Sequence, residues 1–304
     1  MNNIKQLIDN LHKGDKKSLA RCISLVENEV EGFEEILTSL VFKKSTPVIG
    51  ITGPPGGGKS TFINALVKSL VKQEKKIAVI AVDPTSPFNY GSLLGDRLRM
   101  NAHFNNPQVF IRSLATRGSL GGLSAKTLEV ADVVRASDFD YIIIETVGVG
   151  QSEVEIAGLA DTTIVLLIPE GGDEIQTIKS GIMEIADIFV VNKSDRPGAD
   201  TFINHLETLV HSKKLDLWSA PVIKAIATQD IGIEEVIDQM NKHNLVAANT
   251  KKKFLLTEKA FSLIQNERMK NVNKQLLQSA IATEMNSPDF NLYTFVKGWM
   301  GKQR

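Results

Sequence analysis

Apolar positions recur at helical spacing through residues 1–45. Leu7, Leu11, Leu19, Ile23, Val26 and Val30 fall near one face, and no alternating pattern competes. Gly14-Asp15 interrupts the run, so two short helices are expected there, with residues 33–42 as a third. From Pro47 the pattern changes. Short apolar runs at 48–52, 77–82, 109–111, 141–146, 163–168, 188–191 and 222–226 read as strands, and most are separated by amphipathic stretches. The run Ile77-Ala78-Val79-Ile80-Ala81-Val82 is apolar throughout, the mark of a strand covered on both faces. Alternating strand and helix predicts an α/β fold, a mainly parallel sheet between helices. Beyond about residue 246 the strand pattern stops. Lys251-Lys252-Lys253 reads as a solvated helix start or linker, and residues 254–304 as two or three helices broken at Ser287-Pro288. The expected organisation is an N-terminal helical extension at 1–45, a core domain at 46–246 and a C-terminal helical extension at 247–304.

Composition narrows this little. The chain has 304 residues, long enough to bury a full core, and 35 basic residues balance 35 acidic ones. That balance argues against bulk binding to nucleic acid or to an acidic membrane surface. The single cysteine, Cys22, forms no internal disulfide and reads as a small core residue. Met1-Asn2-Asn3-Ile4-Lys5 begins no secretory signal, and no run approaches the length of a bilayer span. A cytoplasmic protein is expected.

The chemistry begins after the first strand. Gly53-Pro54-Pro55-Gly56-Gly57-Gly58-Lys59-Ser60-Thr61 has the form G-x-x-x-x-G-K-[ST] between a strand and an amphipathic helix. Glycines allow consecutive backbone N–H groups to face inward, and those groups with the positive helix end hold phosphates. Lys59 is expected to reach the β- and γ-phosphates and the Ser60 hydroxyl to bind Mg²⁺. These features define a P-loop NTPase core.

Asn192-Lys193-Ser194-Asp195 has the form N-K-x-D at the end of the run 188–191. A carboxylate can accept from both N1–H and the exocyclic amine of guanine, whereas adenine offers no such pair of donors. Asp195 therefore selects GTP and GDP over adenine nucleotides, with Lys193 lying along the base and loop. After the next strand, Ile226-Ala227-Thr228 offers a backbone N–H near Ala227 to the guanine O6.

Three acids stand where Mg²⁺ chemistry is expected: Asp83 and Glu145 at strand ends and Asp96 in Gly95-Asp96-Arg97. Glu145-Thr146-Val147-Gly148-Val149-Gly150-Gln151-Ser152-Glu153 reads as a switch, with the Gly148 N–H able to sense the γ-phosphate. Gln151 or Glu153 could orient the attacking water; Gln151 joins Lys59 and Glu145 as a candidate catalytic residue. Arg99 or Arg117 could stabilise the charge that develops in phosphoryl transfer, though each reads first as an ordinary structural or surface arginine.

The chain resembles the MeaB/ArgK family of P-loop GTPases, the methylmalonic aciduria type A protein family. The resemblance rests on Gly14-Asp15 with Leu19-Ala20-Arg21 and Val26-Glu27-Asn28, the phosphate loop, Val82-Asp83-Pro84-Thr85-Ser86-Pro87 and Gly91-Ser92-Leu93-Leu94-Gly95-Asp96-Arg97. It continues through Arg112-Ser113-Leu114-Ala115-Thr116-Arg117-Gly118, the switch at 145–153, Gly172-Asp173-Glu174-Ile175-Gln176 and Asn192-Lys193-Ser194-Asp195. It implies a GTP-hydrolysing chaperone of an adenosylcobalamin-dependent acyl-CoA mutase, chiefly methylmalonyl-CoA mutase, that gates cofactor loading and protects the mutase. It also implies a homodimer joined through C-terminal helices. By the same resemblance Asp83, Asp96 and Glu145 fall on Mg²⁺-associated acids, and 172–176 on a further switch loop ending near Lys179. Two positions depart from the pattern: Glu170 replaces a small residue, and Asp230 stands where a glycine is common. A nickel-enzyme metallochaperone is an alternative, but His12, His103, His205, His211, His243 and Cys22 show no ligand spacing. A transport-system-associated kinase is another.

Overall fold

The computed structural model describes residues 2–83, 103–115, 125–146, 156–169, 183–211, 218–247, 250–287 and 289–302. The chain divides into two compact units, Met1–Leu255 and Leu256–Arg304.

The first unit is built on a seven-stranded sheet: β1 (Val48–Thr52), β2 (Ile77–Asp83), β3 (Val109–Ala115), β4 (Tyr141–Glu145), β5 (Thr162–Leu167), β6 (Ile188–Val191) and β7 (Val222–Lys224). The order is β3-β2-β4-β1-β5-β6-β7, and every pairing is parallel. The chain leaves β1 towards β2 and β3, returns through β4, then crosses β1 to β5, β6 and β7. Winding therefore reverses at β1, and ligands of open parallel sheets bind where it reverses, beyond the carboxyl ends of the strands.

Alternation along the strands separates two faces. Ala78, Ile80, Val82, Ile142 and Ile144 pack with α1 (Asn2–His12), α2 (Lys16–Glu27), α3 (Phe33–Thr38) and α5 (Ala125–Arg135). Ile77, Val79, Ile143, Ile164 and Val190 pack on the other face with α4 (Lys59–Lys72) and α7 (Ile233–Ala247). A third cluster joins Val165, Leu167 and Phe189 to α6 (Ala199–His211). Leu11, Leu19, Cys22 and Ile23 of α1 and α2 are fully buried, so these helices complete one face of the sheet. Burial pushes the Cys22 thiol up to about 11, which leaves it an inert core group.

Three elements differ from the expectation by more than one residue. β3 runs to Ala115, past the expected end at 111, because Arg112 does not break it. Its guanidinium reaches Glu27 of α2 at 2.6 Å and Ser24 Oγ at 3.3 Å, and an ion pair across the layer replaces an apolar contact. α3 ends at Thr38, short of 42. The Ser39 N–H closes on Glu35 and Ile36 carbonyls, the Val41 N–H then donates to His12 Nε2 at 3.3 Å, and Val41 and Phe42 are exposed. β7 stops at Lys224, and Ile226 instead pairs with Ile231.

The second unit holds α8 (Thr250–Met269) from Leu256 on, α9 (Lys274–Glu284) and α10 (Leu292–Lys302). Asn273 caps α9 by accepting from the Gln275 and Leu276 N–H groups. Phe295, buried, stacks on Trp299 with ring centroids 5.9 Å apart. Leu256, Phe261, Ile264, Leu276 and Tyr293 are exposed. Among the described residues no helix is long and apolar enough to cross a membrane.

Candidate nucleotide-binding site

The phosphate loop leaves the carboxyl end of β1 at Gly53, and α4 begins at Lys59. Gly53 and Gly58 show why the loop is written in glycine. Gly53 has φ +142° and a Cβ there would run into the Leu166 carbonyl of β5. Gly58 caps α4 at φ +87°, and a Cβ there would stand 2.6 Å from Asn192 Nδ2. Between them Gly57 N–H closes on the Pro54 carbonyl at 3.2 Å. The N-terminal end of α4 lies at the same place, where the helix dipole favours anions.

Lys59 is buried, and its ammonium donates to the Gly53 carbonyl at 2.8 Å and the Pro54 carbonyl at 3.0 Å. It is thereby held over the loop. Ser60, also buried, donates from Oγ to Glu145 Oε1 at 2.8 Å, and Glu145 ends β4. The two side chains set hard oxygen donors side by side, the chemistry Mg²⁺ selects, so this donor set fits the ion. Thr61 in the same turn is exposed. The Thr146 hydroxyl bonds to the Thr52 hydroxyl at 2.9 Å, and its N–H donates to Ile51 at 3.1 Å, pinning the end of β4 to the end of β1.

The second loop follows β6. Asn192 is buried and bonds in two directions: Nδ2 donates to the Gly57 carbonyl at 2.9 Å, and Oδ1 accepts from the Ala227 N–H at 3.1 Å. Lys193 takes a left-handed backbone, φ 56°, and its Nζ donates to the Gly56 carbonyl at 2.9 Å. Ser194 is tied to the Ala225 carbonyl by both its N–H and its hydroxyl, each at 3.1 Å. Asp195 is exposed at the rim. Ile226 and Ile231 close a small loop, within which Ala227–Gln229 forms a 3₁₀ turn; Ala227 is buried and Thr228 exposed. Three segments distant in sequence are thus one hydrogen-bonded unit, with Asn192 at its centre.

Of the expected site residues, the structure brings together those of 53–61, Glu145, Asn192, Lys193, Asp195 and those of 226–228. Asp83 closes β2 beside Ala115 of β3. Asp96, Gly148, Gln151, Glu153, Arg99, Arg117, Glu170, residues 172–176 and Lys179 lie outside the described residues. No cluster of three or more His, Cys, Asp or Glu able to hold a metal occurs among the described residues. Sequence reasoning missed the Asn192 bridge and the part played by Thr52 and Thr146. A polar pair at the ends of two otherwise apolar strands was the available signal for the threonines.

A strand–loop–helix phosphate cradle at the reversal of a parallel sheet, bound by an N-K-x-D asparagine to a third loop, defines a P-loop nucleotide hydrolase. The sequence profile of the family described as methylmalonyl Co-A mutase-associated GTPase MeaB matches residues 19–285, and the chain belongs to that family. It is a GTPase and binds guanine nucleotide. A putative GTPase of Pyrococcus abyssi is 48% identical over 245 residues, covering 79% of this chain and 76% of the relative. The mouse mitochondrial methylmalonic aciduria type A homolog is 36% identical over 269 residues, covering 81% of this chain and 64% of that protein. The crystal structure of a LAO/AO transport system kinase superposes with a TM-score of 0.70 at 26% identity and 98% coverage of each chain.

Proposed function

We propose that this GTPase is a chaperone of an adenosylcobalamin-dependent acyl-CoA mutase, methylmalonyl-CoA mutase foremost, and that its nucleotide state gates cofactor loading and protects the mutase. The observation that carries the reading is membership of a family described as mutase-associated; likeness to the mouse methylmalonic aciduria type A homolog supports it. In this reading the protein is cytoplasmic and a homodimer. The exposed Leu256, Phe261, Ile264, Leu276 and Tyr293 of the second unit support an apolar contact there.

In the same reading the N–H groups of 53–61 and Lys59 hold the phosphates. The carbonyl bonds of Lys59 set its ammonium in place in advance, so little reorganisation is needed as charge develops. Ser60 and Glu145, with Asp83 and Asp96, would hold Mg²⁺. When bound, that ion neutralises charge on the β- and γ-phosphate oxygens. Asp195 pairs with N1–H and the exocyclic amine of guanine, while Lys193 lies along the base. Asn192 fixes the distance between phosphate loop and base-edge loop, and the Ala227 N–H, shared with Asn192 Oδ1, borders the guanine O6. Gly148 senses the γ-phosphate, and Gln151 orients the attacking water.

Turnover measured with and without candidate mutases tests the client. A cobalamin-dependent acyl-CoA mutase should co-purify with the GTP-bound protein and raise its rate, because GTPases of this core are slow alone, about 10⁻⁴–10⁻² s⁻¹. Absence of binding and of any rate change across such mutases would remove the assignment. Transfer of labelled phosphate from GTP onto a partner would replace it with a kinase.

A further inference from the structure

The base-edge loop is held from a second side, away from Asn192. Lys68 lies on α4, the helix that begins with Lys59 and Ser60, and its ammonium pairs with the Asp230 carboxylate at 2.5 Å. The next residue, Ser69, donates from its hydroxyl to Glu234 Oε1, and Gln73 Nε2 donates to Glu234 Oε2 at 3.0 Å. Glu234 stands in the first turn of α7, directly after the loop. Lys68 and Ser69 of the phosphate-loop helix, with its C-cap Gln73, therefore grip two carboxylates at the end of the loop that carries Ala227.

The backbone at Asp230 adds to this. Asp230 has φ 59° and ψ 18°, the left-handed region where glycine is relaxed and most residues are not. Its N–H faces the Ala227 carbonyl at 3.5 Å. Glycine would suit this backbone but would give Lys68 nothing to pair with. An aspartate at this position trades backbone ease for a tie to α4.

We propose that Lys68 and Asp230, with Ser69, Gln73 and Glu234, form a latch through which the phosphate-loop helix sets the base-edge loop and so the residence time of guanine nucleotide. The inference rests on the reading that the Ala227 loop borders the base. Lys68 and Asp230 are positioning residues: they act through the Ala227 N–H and the Asn192 amide. Both are about half exposed, so the latch is salt-sensitive, and nucleotide release follows it.

Release of a fluorescent GDP analogue from the full chain tests this. Lys68→Gln and Asp230→Asn should each speed release roughly two- to fivefold at low salt, the range an exposed ion pair supports. The double variant should release no faster than either single, and Lys68→Arg should match wild type. Wild-type release should approach the variants' rate at high salt. Lys68→Gln leaves the loop backbone untouched, so it decides the matter if Asp230→Asn folds poorly. Wild-type rates in both single variants, or release by the wild type that ignores salt, overturn the latch. Asp195→Asn separates the two levels. If that variant keeps the preference for GTP over ATP, Asp195 does not read guanine, and the placing of the base beside it, on which the latch rests, fails. If it loses the preference while Lys68→Gln releases GDP at the wild-type rate, only the latch fails.

Discussion

Ser60 Oγ donates a 2.8 Å hydrogen bond to Glu145 Oε1, joining the first turn of α4 to the end of β4. The bond spans 85 positions of sequence and lies at the reversal of the sheet. It orients the hydroxyl that the proposed function assigns to Mg²⁺. Glu145→Gln keeps the shape and removes the charge. Turnover should fall roughly ten- to hundredfold and the Mg²⁺ requirement should rise, as when a partner of a metal ligand is lost. GDP should still bind. Rates titrated against Mg²⁺ give the answer; an unchanged titration would take Glu145 out of the metal site.

Two glycines of one loop should behave differently. Gly58 and Gly56 both have positive φ, +87° and +76°. A methyl at Gly56 meets nothing within 4 Å, whereas at Gly58 it stands 2.6 Å from Asn192 Nδ2. Each alanine carries the backbone cost, about 1–2 kcal/mol. Gly58→Ala also pushes Asn192 off the Gly57 carbonyl, so its GDP affinity should drop about tenfold further. Calorimetric titration of both variants compares them directly. Equal losses would mean that the Asn192 bridge contributes nothing to binding.

Acid should weaken the fold through His103. Burial holds this imidazole below its ordinary 6.5, with a hydrogen bond to the Asn64 backbone pulling the other way. The unfolded chain therefore takes up a proton near pH 6.5 that the folded chain resists. The stability from neutral His103 is full above that pH and declines as pH falls through it towards the folded value. Paired carboxylates also lose stability in acid, so the informative quantity is the difference from His103→Gln. The melting-temperature gap between wild type and variant should narrow as pH falls from neutral through the ordinary imidazole value. A constant gap would show that His103 does not titrate on unfolding.

The sheet was legible because most of its strands are unbroken apolar runs, buried from both sides. Ile77–Val82 and Ile188–Val191 are apolar at every position. The apolar run of β3 stops at Arg112, whose partner Glu27 is too far away in sequence to leave a local trace. The expected helix over 33–42 ends early because Val41 and Phe42, although apolar, are exposed and bury no face. In the site, the residue types of 53–61 and 192–195 announced themselves, since few chemistries need that glycine spacing before a Lys-Ser pair. How the loops are joined did not. Asn192 reaches Gly57 and Ala227 through bonds that depend on the end of β6 lying beside β7 and one strand away from β1, an arrangement set by the order β1-β5-β6-β7. Asp230 was legible as a departure from glycine, but its partner Lys68 was not.

Asp195 offers the sharpest test of base recognition. It follows Ser194, whose N–H and hydroxyl are both fixed on the Ala225 carbonyl, and Lys193, whose ammonium is fixed on Gly56. The loop is thus held on both sides while the Asp195 side chain stands exposed at the rim. A carboxylate there can accept two hydrogen bonds from guanine. Asparagine keeps one acceptor and turns a donor towards another donor. Bonds to a charged group are worth about 1.5–3 kcal/mol, so Asp195→Asn should lower GTP affinity roughly ten- to hundredfold. ATP affinity should hardly change, since adenine makes no such pair. The fold should be unaffected, because among the described residues none of the bonds that hold the loop passes through the Asp195 side chain. Competition of GTP and ATP for the same labelled nucleotide measures both affinities in one series. If the ratio of the two is the same in variant and wild type, guanine is selected elsewhere and Asp195 is only a rim carboxylate.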